Sequence, residues 1–520
     1  MQSPGREQFV ELVTRERSAA AGSSLAIPLS VRLLADQLTP VLAYRRLVAP
    51  DERTSPSFLL ESVEGGERQG RYSILGAQPA REIVAHGHEV RIDDRRGGAS
   101  GVSQEADPLL VLRRLSAHLK LVVPSAPRGA GLPACFLGGW VGYAAYDTVR
   151  YAEPSKLANA PRDDRGLPDL HFGFYDGVVV FDHVDKLVHV IQLAVIAPDA
   201  DAGEAYDAAV ARLRTRIQEI QRHSKPLPAG IVEAESGKPA PIPSNTTREQ
   251  HAAMVASAKE YIRAGDIFQV VLGQRFERRS KADPFDVYRA LRAVNPSPYM
   301  VYLQAQGCIL VASSPEILCR VRREKGGAFV VTNRPLAGTR RRGATPEEDV
   351  ALEHELLADA KERAEHIMLV DLGRNDVGQV AEPGTIRLPR VMEVERYSHV
   401  MHISSTVTGE LRAGLDCWDA LRAALPVGTI SGAPKIRAMQ IIDELEPVRR
   451  GPYGGGMGYV GLDGQMDIAL ALRTMVVPTA MRSPDGEWVY HLQAAGGIVA
   501  DSNAEDENLE TVNKAAAMAR

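Results

Sequence analysis

Cysteine is scarce. The 520-residue chain carries four, Cys135, Cys308, Cys319 and Cys417, with no CxxC pair and no zinc-type spacing. That excludes a disulfide framework and a thiolate-held structural metal, and it fits a reducing compartment, so a cytoplasmic location is expected. No basic tract stands out either: 61 Lys and Arg against 66 Asp and Glu leave a net charge of −5, so no nucleic-acid partner is expected. Apolar runs such as 190–198 fall far short of the roughly 18 residues that a membrane span needs, and no membrane partner is expected. The opening segment MQSPGREQFVELVTRER is charged throughout and shows no apolar export signal.

What is present, 44% hydrophobic and 24% charged residues, is the make-up of a globular protein too long for one ordinary core. Residues 1–25 are polar and rich in Ala and Ser, which reads as a frayed arm with one helix. The following region, 26–221, carries short strand-like runs (PSFLLESV, RYSILGA, HEVRIDD, GVVVFDH) separated by Gly, Asp and Pro clusters. It ends in a helix over about 203–222, with Tyr206, Val210, Leu213 and Ile217 on one stripe. The segment 222–245 is Pro-rich and short of large apolar residues, so it reads as an extended connector. From 246 to 520 helices and strands alternate densely, and most chemical signals lie there.

Two carboxylate sets come first. Helix formers run from about Pro346 to Val370 and place Glu362 and Glu365 on one face; Glu507, Glu510 and Lys514 share a face near the C-terminus. Two such helices facing each other would gather oxygen donors for a hard cation such as Mg²⁺, although either set alone serves equally as a solvated face. The run GTISGAPKIRAMQIIDELEP is a small-residue turn, holding Gly428, Thr429, Ser431 and Gly432, that feeds a helix with Pro434 at its first position. Such a turn offers free N–H groups to an anion, or is simply a turn. RRGPYGGGMGY is glycine-heavy, ERYSHVMHIS holds His399 and His402, and Arg473 sits in the apolar, strand-like run ALALRTMVV. A buried arginine calls for an acidic partner, from the protein or from a ligand.

In this order, the motifs ASSPEIL, PLAGTRRRGAT, KERAEHIMLVDLGRND, ERYSHVMHI, GTISGAPK, GPYGGGMGY, ALALRT and GGIVADS…ENLETVNKA resemble those of the chorismate-utilising enzymes. The resemblance is specific over about 246–520 and looser over 28–195. It implies an α/β fold, a large layered sandwich to which both halves of the chain contribute, so that the connector does not divide independent domains. By matching motifs it implies Mg²⁺ held by Glu365 and Glu510 and supported by Glu362 and Glu507. Chorismate's ring carboxylate would lie on that ion, near Lys514, Gly496 and Gly497. Tyr453 and Arg473 would hold the enolpyruvyl carboxylate, with Gly338, Thr339 and Thr429 lining the pocket. Glu316 matches the general acid that helps the C4 hydroxyl leave, and His402, not His399, matches the catalytic histidine.

Two positions discriminate among family members. Water-adding members carry a lysine base where this chain has Gln269, and an amide is no base near neutral pH. Aminodeoxychorismate synthases show a nucleophilic lysine where PLAGT has Ala337, which forms no adduct. The expected activity is therefore a lyase reaction of chorismate with ammonia that gives anthranilate and pyruvate, the entry to tryptophan synthesis. A rival is an enzyme that stops at aminodeoxyisochorismate; a rival of another class is a non-catalytic regulator that binds chorismate or tryptophan. No glutaminase nucleophile elbow is found in the sequence, so a separate glutamine amidotransferase subunit supplying ammonia, and hence a hetero-oligomer, is implied. Leu60, Glu61 and Ser62 in PSFLLESV resemble the family's tryptophan-feedback segment, and Asn295, Pro296, Tyr299 and Met300 its partner across the pocket, with L-tryptophan as inhibitor.

Overall fold

The computed structural model describes residues 4–519 except 20–21, 50–53, 65–67, 126–130, 225–226, 228, 231–240 and 398–399. Most of the Pro-rich connector and His399 therefore lie outside the described residues. Two 12-stranded, largely antiparallel sheets stack face to face, with helices on their outer faces. The strand-like runs read from sequence form Ser57–Glu61, Tyr72–Ala77, Glu89–Asp94 and Gly177–Asp182.

Both halves of the chain build both sheets. In the first, Tyr299–Gln304 pairs with Ser57–Glu61, placing Met300 opposite Glu61 and Val301 opposite Leu60. In the second, Gly456–Gly461 pairs with Gly139–Ala144. Each junction joins segments more than two hundred residues apart, so neither half closes its own sheets and the two form one layered unit, as the resemblance implied.

Alternation along the strands decides which core each side chain enters. Phe58, Ile74, Val178 and Val180 point into the layer between the sheets, with Val141, Tyr143 and Met457 opposite. Leu59, Leu75 and Val179 point outward beneath helices that supply Tyr44, Tyr206 and Phe285. With both faces covered, the strands read as near-continuous apolar runs. Helix Ala202–Gln221 buries Tyr206, Val210 and Leu213 as its stripe predicts, with Ile217 packed at the margin.

Three expectations are corrected. The N-terminal arm is docked: helix Arg6–Ala19 buries Phe9 and Val13 completely, and Phe9 packs on the Tyr206 ring at 5.2 Å. The helix read over Pro346 to Val370 is two helices, Pro346–Ala358 and Ala360–Gly378. Asp359 makes the break, its carboxylate accepting from Lys361 N and Glu362 N and so capping the second helix. The helix after GTISGAP starts at Lys435, with Pro434 in the capping position before it, and GTIS is itself a single helical turn, Gly428–Ser431. Among the described residues no helix is long and apolar enough to cross a membrane.

Candidate active site

Two neighbouring crossings between the sheets define the site. Strand Cys308–Ser314 lies in the first sheet and Ile317–Arg323 in the second, so the chain changes sheet at Pro315 and Glu316. Strand Met466–Leu470 lies in the second and Thr474–Pro478 in the first, so the chain crosses back at 471–473. The crossings are hydrogen-bonded to each other: Leu470 N donates to Glu316 O at 3.0 Å and Ser313 N to Arg473 O at 3.1 Å. Arg473 is thus not within a strand, as its apolar context suggested. It occupies the crossing, with φ +46°, a left-handed backbone uncommon for a residue with a side chain.

Glu316 is 4% exposed. Thr429 Oγ1 donates to its Oε1 at 2.8 Å. Burial outweighs this bond, the Leu336 N–H and the Arg473 charge, and pushes the carboxyl up to about 8, which keeps it protonated at neutral pH. Arg473 makes no ion pair among the described residues, and its Nη2 stands 3.2 Å from His402 Nε2.

His402 owes its aim to a bulge. Strand Leu336–Arg341 pairs with Val400–Glu410 so that Ala337 faces Ile403 and Thr339 faces His402, with Gly338 the extra residue at φ +67°. The bulge turns Gly338 O toward His402 Nδ1 at 3.1 Å, and Thr339 Oγ1 lies 3.0 Å from the same nitrogen. A carbonyl only accepts, so Nδ1 carries the proton and Nε2 keeps its lone pair, facing Arg473. Burial and the Arg473 charge lower the imidazole to about 4, leaving it neutral at pH 7. Gly338, expected to line the substrate pocket, is here in contact with the histidine through its carbonyl.

The carboxylates from two helices meet the end of strand Trp488–Ile498. Gln269 Nε2 donates to Glu365 Oε1 at 2.8 Å, and a Cβ on Gly497 would stand 2.5 Å from that amide and 3.5 Å from the carboxylate. On Gly496 a Cβ would stand 3.0 Å from Glu507 Oε2. Burial raises both Glu362 and Glu507 above the usual carboxylate range. Arg340 Nη1 donates to Glu362 at 3.2 Å and Nη2 to Asp359 at 2.8 Å. Lys514 Nζ pairs with Glu510 at 2.5 Å and donates to Ala495 O at 3.0 Å.

Glu365 and Glu507 thus reach one strand end, with Glu510 joined to it through Lys514 and Glu362 held against Arg340, but among the described residues no three acidic, histidine or cysteine side chains stand close enough to hold a metal as they are. The donor set nevertheless suits a hard cation. It is all oxygen, the glycines leave room beside it, and the buried Gln269 Oε1 has no partner.

Tyr453, 2% exposed, lies with Val271, Ile430 and Ala495 in one core cluster. The glycines after it serve packing: a Cβ on Gly455 would stand 2.2 Å from Ala144 O. Sequence reasoning overlooked Tyr397, whose ring lies 5.7 Å from that of His402, and the Arg340 cluster. Arg340 stood in view within PLAGTRRRG, but nothing in the spacing tells which of three arginines turns inward.

The two segments expected to bind tryptophan do meet, since Met300 pairs with Glu61 across the strands and Val63 N donates to Ser297 O at 3.2 Å. Their side chains divide between faces. Glu61 accepts from Tyr288 OH at 2.8 Å and pairs with Arg292 at 2.6 Å on the face that buries Met300. Leu60 and Tyr299 turn into the layer between the sheets, where Tyr299 OH binds Asp467 at 2.7 Å. Asn295 caps helix Pro284–Val294 and Pro296 follows it. Glu61 with Met300 and Leu60 with Tyr299 thus lie on opposite faces, because neighbours along a strand face opposite ways.

Residues 55–520 match the family described as chorismate binding enzyme. Anthranilate synthase alpha subunit 1, chloroplastic, of Oryza sativa subsp. japonica is 53% identical, over 97% of this chain and 89% of that protein. Anthranilate synthase component 1 of Pseudomonas aeruginosa is 47% identical, over 99% of this chain and 98% of its own. The crystal structure of anthranilate synthase component I from Streptococcus pneumoniae superposes with a TM-score of 0.69 at 35% identity, covering 94% of this chain and 99% of that one. The menaquinone-specific isochorismate synthase of Escherichia coli shares the fold, with a TM-score of 0.66 at 18% identity.

Proposed function

The chain belongs to the chorismate-binding enzyme family, and on that premise we propose how its residues carry out the reaction of an anthranilate synthase component I. It is an enzyme of that kind, a lyase. The observation that carries the mechanism is the placement, on adjoining sheet crossings, of a buried Glu316 held protonated and an Arg473 with no ion pair among the described residues.

Arg473 and Tyr453 take the enolpyruvyl carboxylate of chorismate. Glu316 gives its proton to the departing C4 hydroxyl as ammonia bonds to C2, so that water leaves and an aminated ring remains. Once the substrate carboxylate draws the Arg473 guanidinium, His402 Nε2 is free to take the C2 proton. The electrons of that C–H bond complete the aromatic ring as pyruvate departs. Thr339 and Gly338 hold the imidazole, and Thr429 holds the acid. Gln269 in place of a basic lysine leaves water unactivated, whereas ammonia is already nucleophilic. Glu365 and Glu510, supported by Glu362 and Glu507, would hold Mg²⁺, which would supply positive charge for the ring carboxylate beside Gly496, Gly497 and Lys514.

The ammonia is supplied by a separate glutamine amidotransferase subunit in a hetero-oligomer, and four free cysteines suit the cytoplasm. L-Tryptophan acts at the junction of Leu60–Ser62 with Asn295–Met300. Replacing Ser62 by bulkier residues is expected to raise the half-inhibitory tryptophan concentration about tenfold or more, at unchanged kcat. Inhibition that survives several such changes would remove the site from this junction.

Incubating the purified chain with chorismate, Mg²⁺ and an ammonium salt at mildly alkaline pH tests the whole reading. Anthranilate and pyruvate are expected in equal amounts, abolished by EDTA and unsupported by glutamine alone. An aminated product without pyruvate would indicate a reaction that stops at aminodeoxyisochorismate. Binding without turnover would indicate a regulator.

A further inference from the structure

The reaction outlined above does not use the buried pair Glu446–Arg450, yet the hydrogen bonds of this pair run to both halves of the site. Arg450 is 2% and Glu446 4% exposed. Arg450 Nε and Nη2 grip the two carboxylate oxygens at 2.9 and 2.6 Å. Arg450 Nη1 donates to Ile430 O at 2.7 Å and Nη2 to Val271 O at 2.7 Å, while Glu446 Oε1 also accepts from Gly273 N at 2.8 Å. The guanidinium stacks over the Tyr146 ring at 4.7 Å.

A buried ion pair is seldom more stabilising than an apolar pair of the same volume. What an apolar pair cannot do is bond two main-chain carbonyls from distant segments. Ile430 follows Thr429, whose hydroxyl binds Glu316; Val271 lies two residues beyond Gln269, whose amide binds Glu365. We infer that Arg450, clamped by Glu446, is a positioning residue that fixes the Ile430 and Val271 carbonyls and thereby sets Thr429 against Glu316 and Gln269 against Glu365. It touches neither substrate nor reacting atom. The inference rests on the reading of Glu316 as the acid.

The test is steady-state kinetics of the full chain with chorismate, Mg²⁺ and ammonium for Arg450→Lys, Thr429→Val and the double variant. Lysine keeps the charge but lacks the planar fork that reaches a carboxylate and two carbonyls together. Each single change is expected to lower kcat about tenfold with KM for chorismate held within about twofold. The double variant should lose little more than either single one, because both act through the same contact. Losses that multiply, a change confined to KM, or a kcat loss equal to the unfolded fraction seen by circular dichroism would overturn the inference. Should Arg450→Lys not fold, Glu446→Gln, which loosens the clamp and leaves the arginine in place, enters the same cycle with the same outcomes. Glu316→Gln serves as control: full activity there would sink the acid assignment itself, whatever the cycle shows.

Discussion

Replacing Glu316 by glutamine is expected to lower kcat for ammonium-dependent anthranilate formation by about 10²–10⁴-fold, with chorismate affinity changed only slightly. The amide matches the carboxyl in shape and can still accept the Thr429 hydroxyl, so the pocket loses a proton donor and little else. The reason the native carboxyl can donate at neutral pH is its burial, which holds it at about 8 against the bond from Thr429 and the charge of Arg473. The sign follows directly. The acid works in its protonated form, which is lost as pH rises through about 8, so kcat should fall on that limb. The glutamine variant should show no such limb. A variant with native kcat and the native alkaline limb would remove Glu316 from the chemistry.

The second large effect is expected from His402→Ala, and it should divide the reaction in two. Amination at C2 needs an acid for the C4 hydroxyl and does not need this imidazole, whereas loss of pyruvate needs a base for the C2 proton. Anthranilate formation should fall by about 10²-fold or more while the aminated intermediate accumulates, a split that single-turnover quenching and chromatography of products would read. The imidazole suits that role because it is neutral above about 4 and its Nδ1 is committed to Gly338 O. Loss of both steps in equal measure would count against the assignment. Read together, the two groups predict a bell: activity lost as pH falls through about 4, where the imidazole gains a proton, and again as pH rises through about 8, where Glu316 loses its own.

Much of this was legible before any coordinates. The order of motifs in 246–520 pointed to the family, and the family to the layered sandwich. Gln269 and Ala337 separated ammonia chemistry from its alternatives because each is a substitution of one functional group, and a functional group is visible in one dimension. Local rules also read correctly where the interaction is local. The stripe of Tyr206, Val210 and Leu213 became a buried face of helix Ala202–Gln221. The expectations that changed were those in which a distant segment decides. The arm that read as frayed is docked where Phe9 packs on Tyr206, and one long helix became two where Asp359 caps the second.

The sequence by itself determined the chemistry available to this protein: which acid, base, cation and amide it owns, and in what order. Tertiary structure alone decided what state each is in and what each faces. Glu316 and Arg473 are 157 positions apart in the chain and become neighbours only because two sheet crossings lie side by side. Arg450 becomes a clamp only because strand, turn and helix deliver two carbonyls and a carboxylate to one guanidinium. Protonation, aim and partnership depend on burial and on distances between segments remote in sequence, and neither quantity exists until the two sheets close on each other.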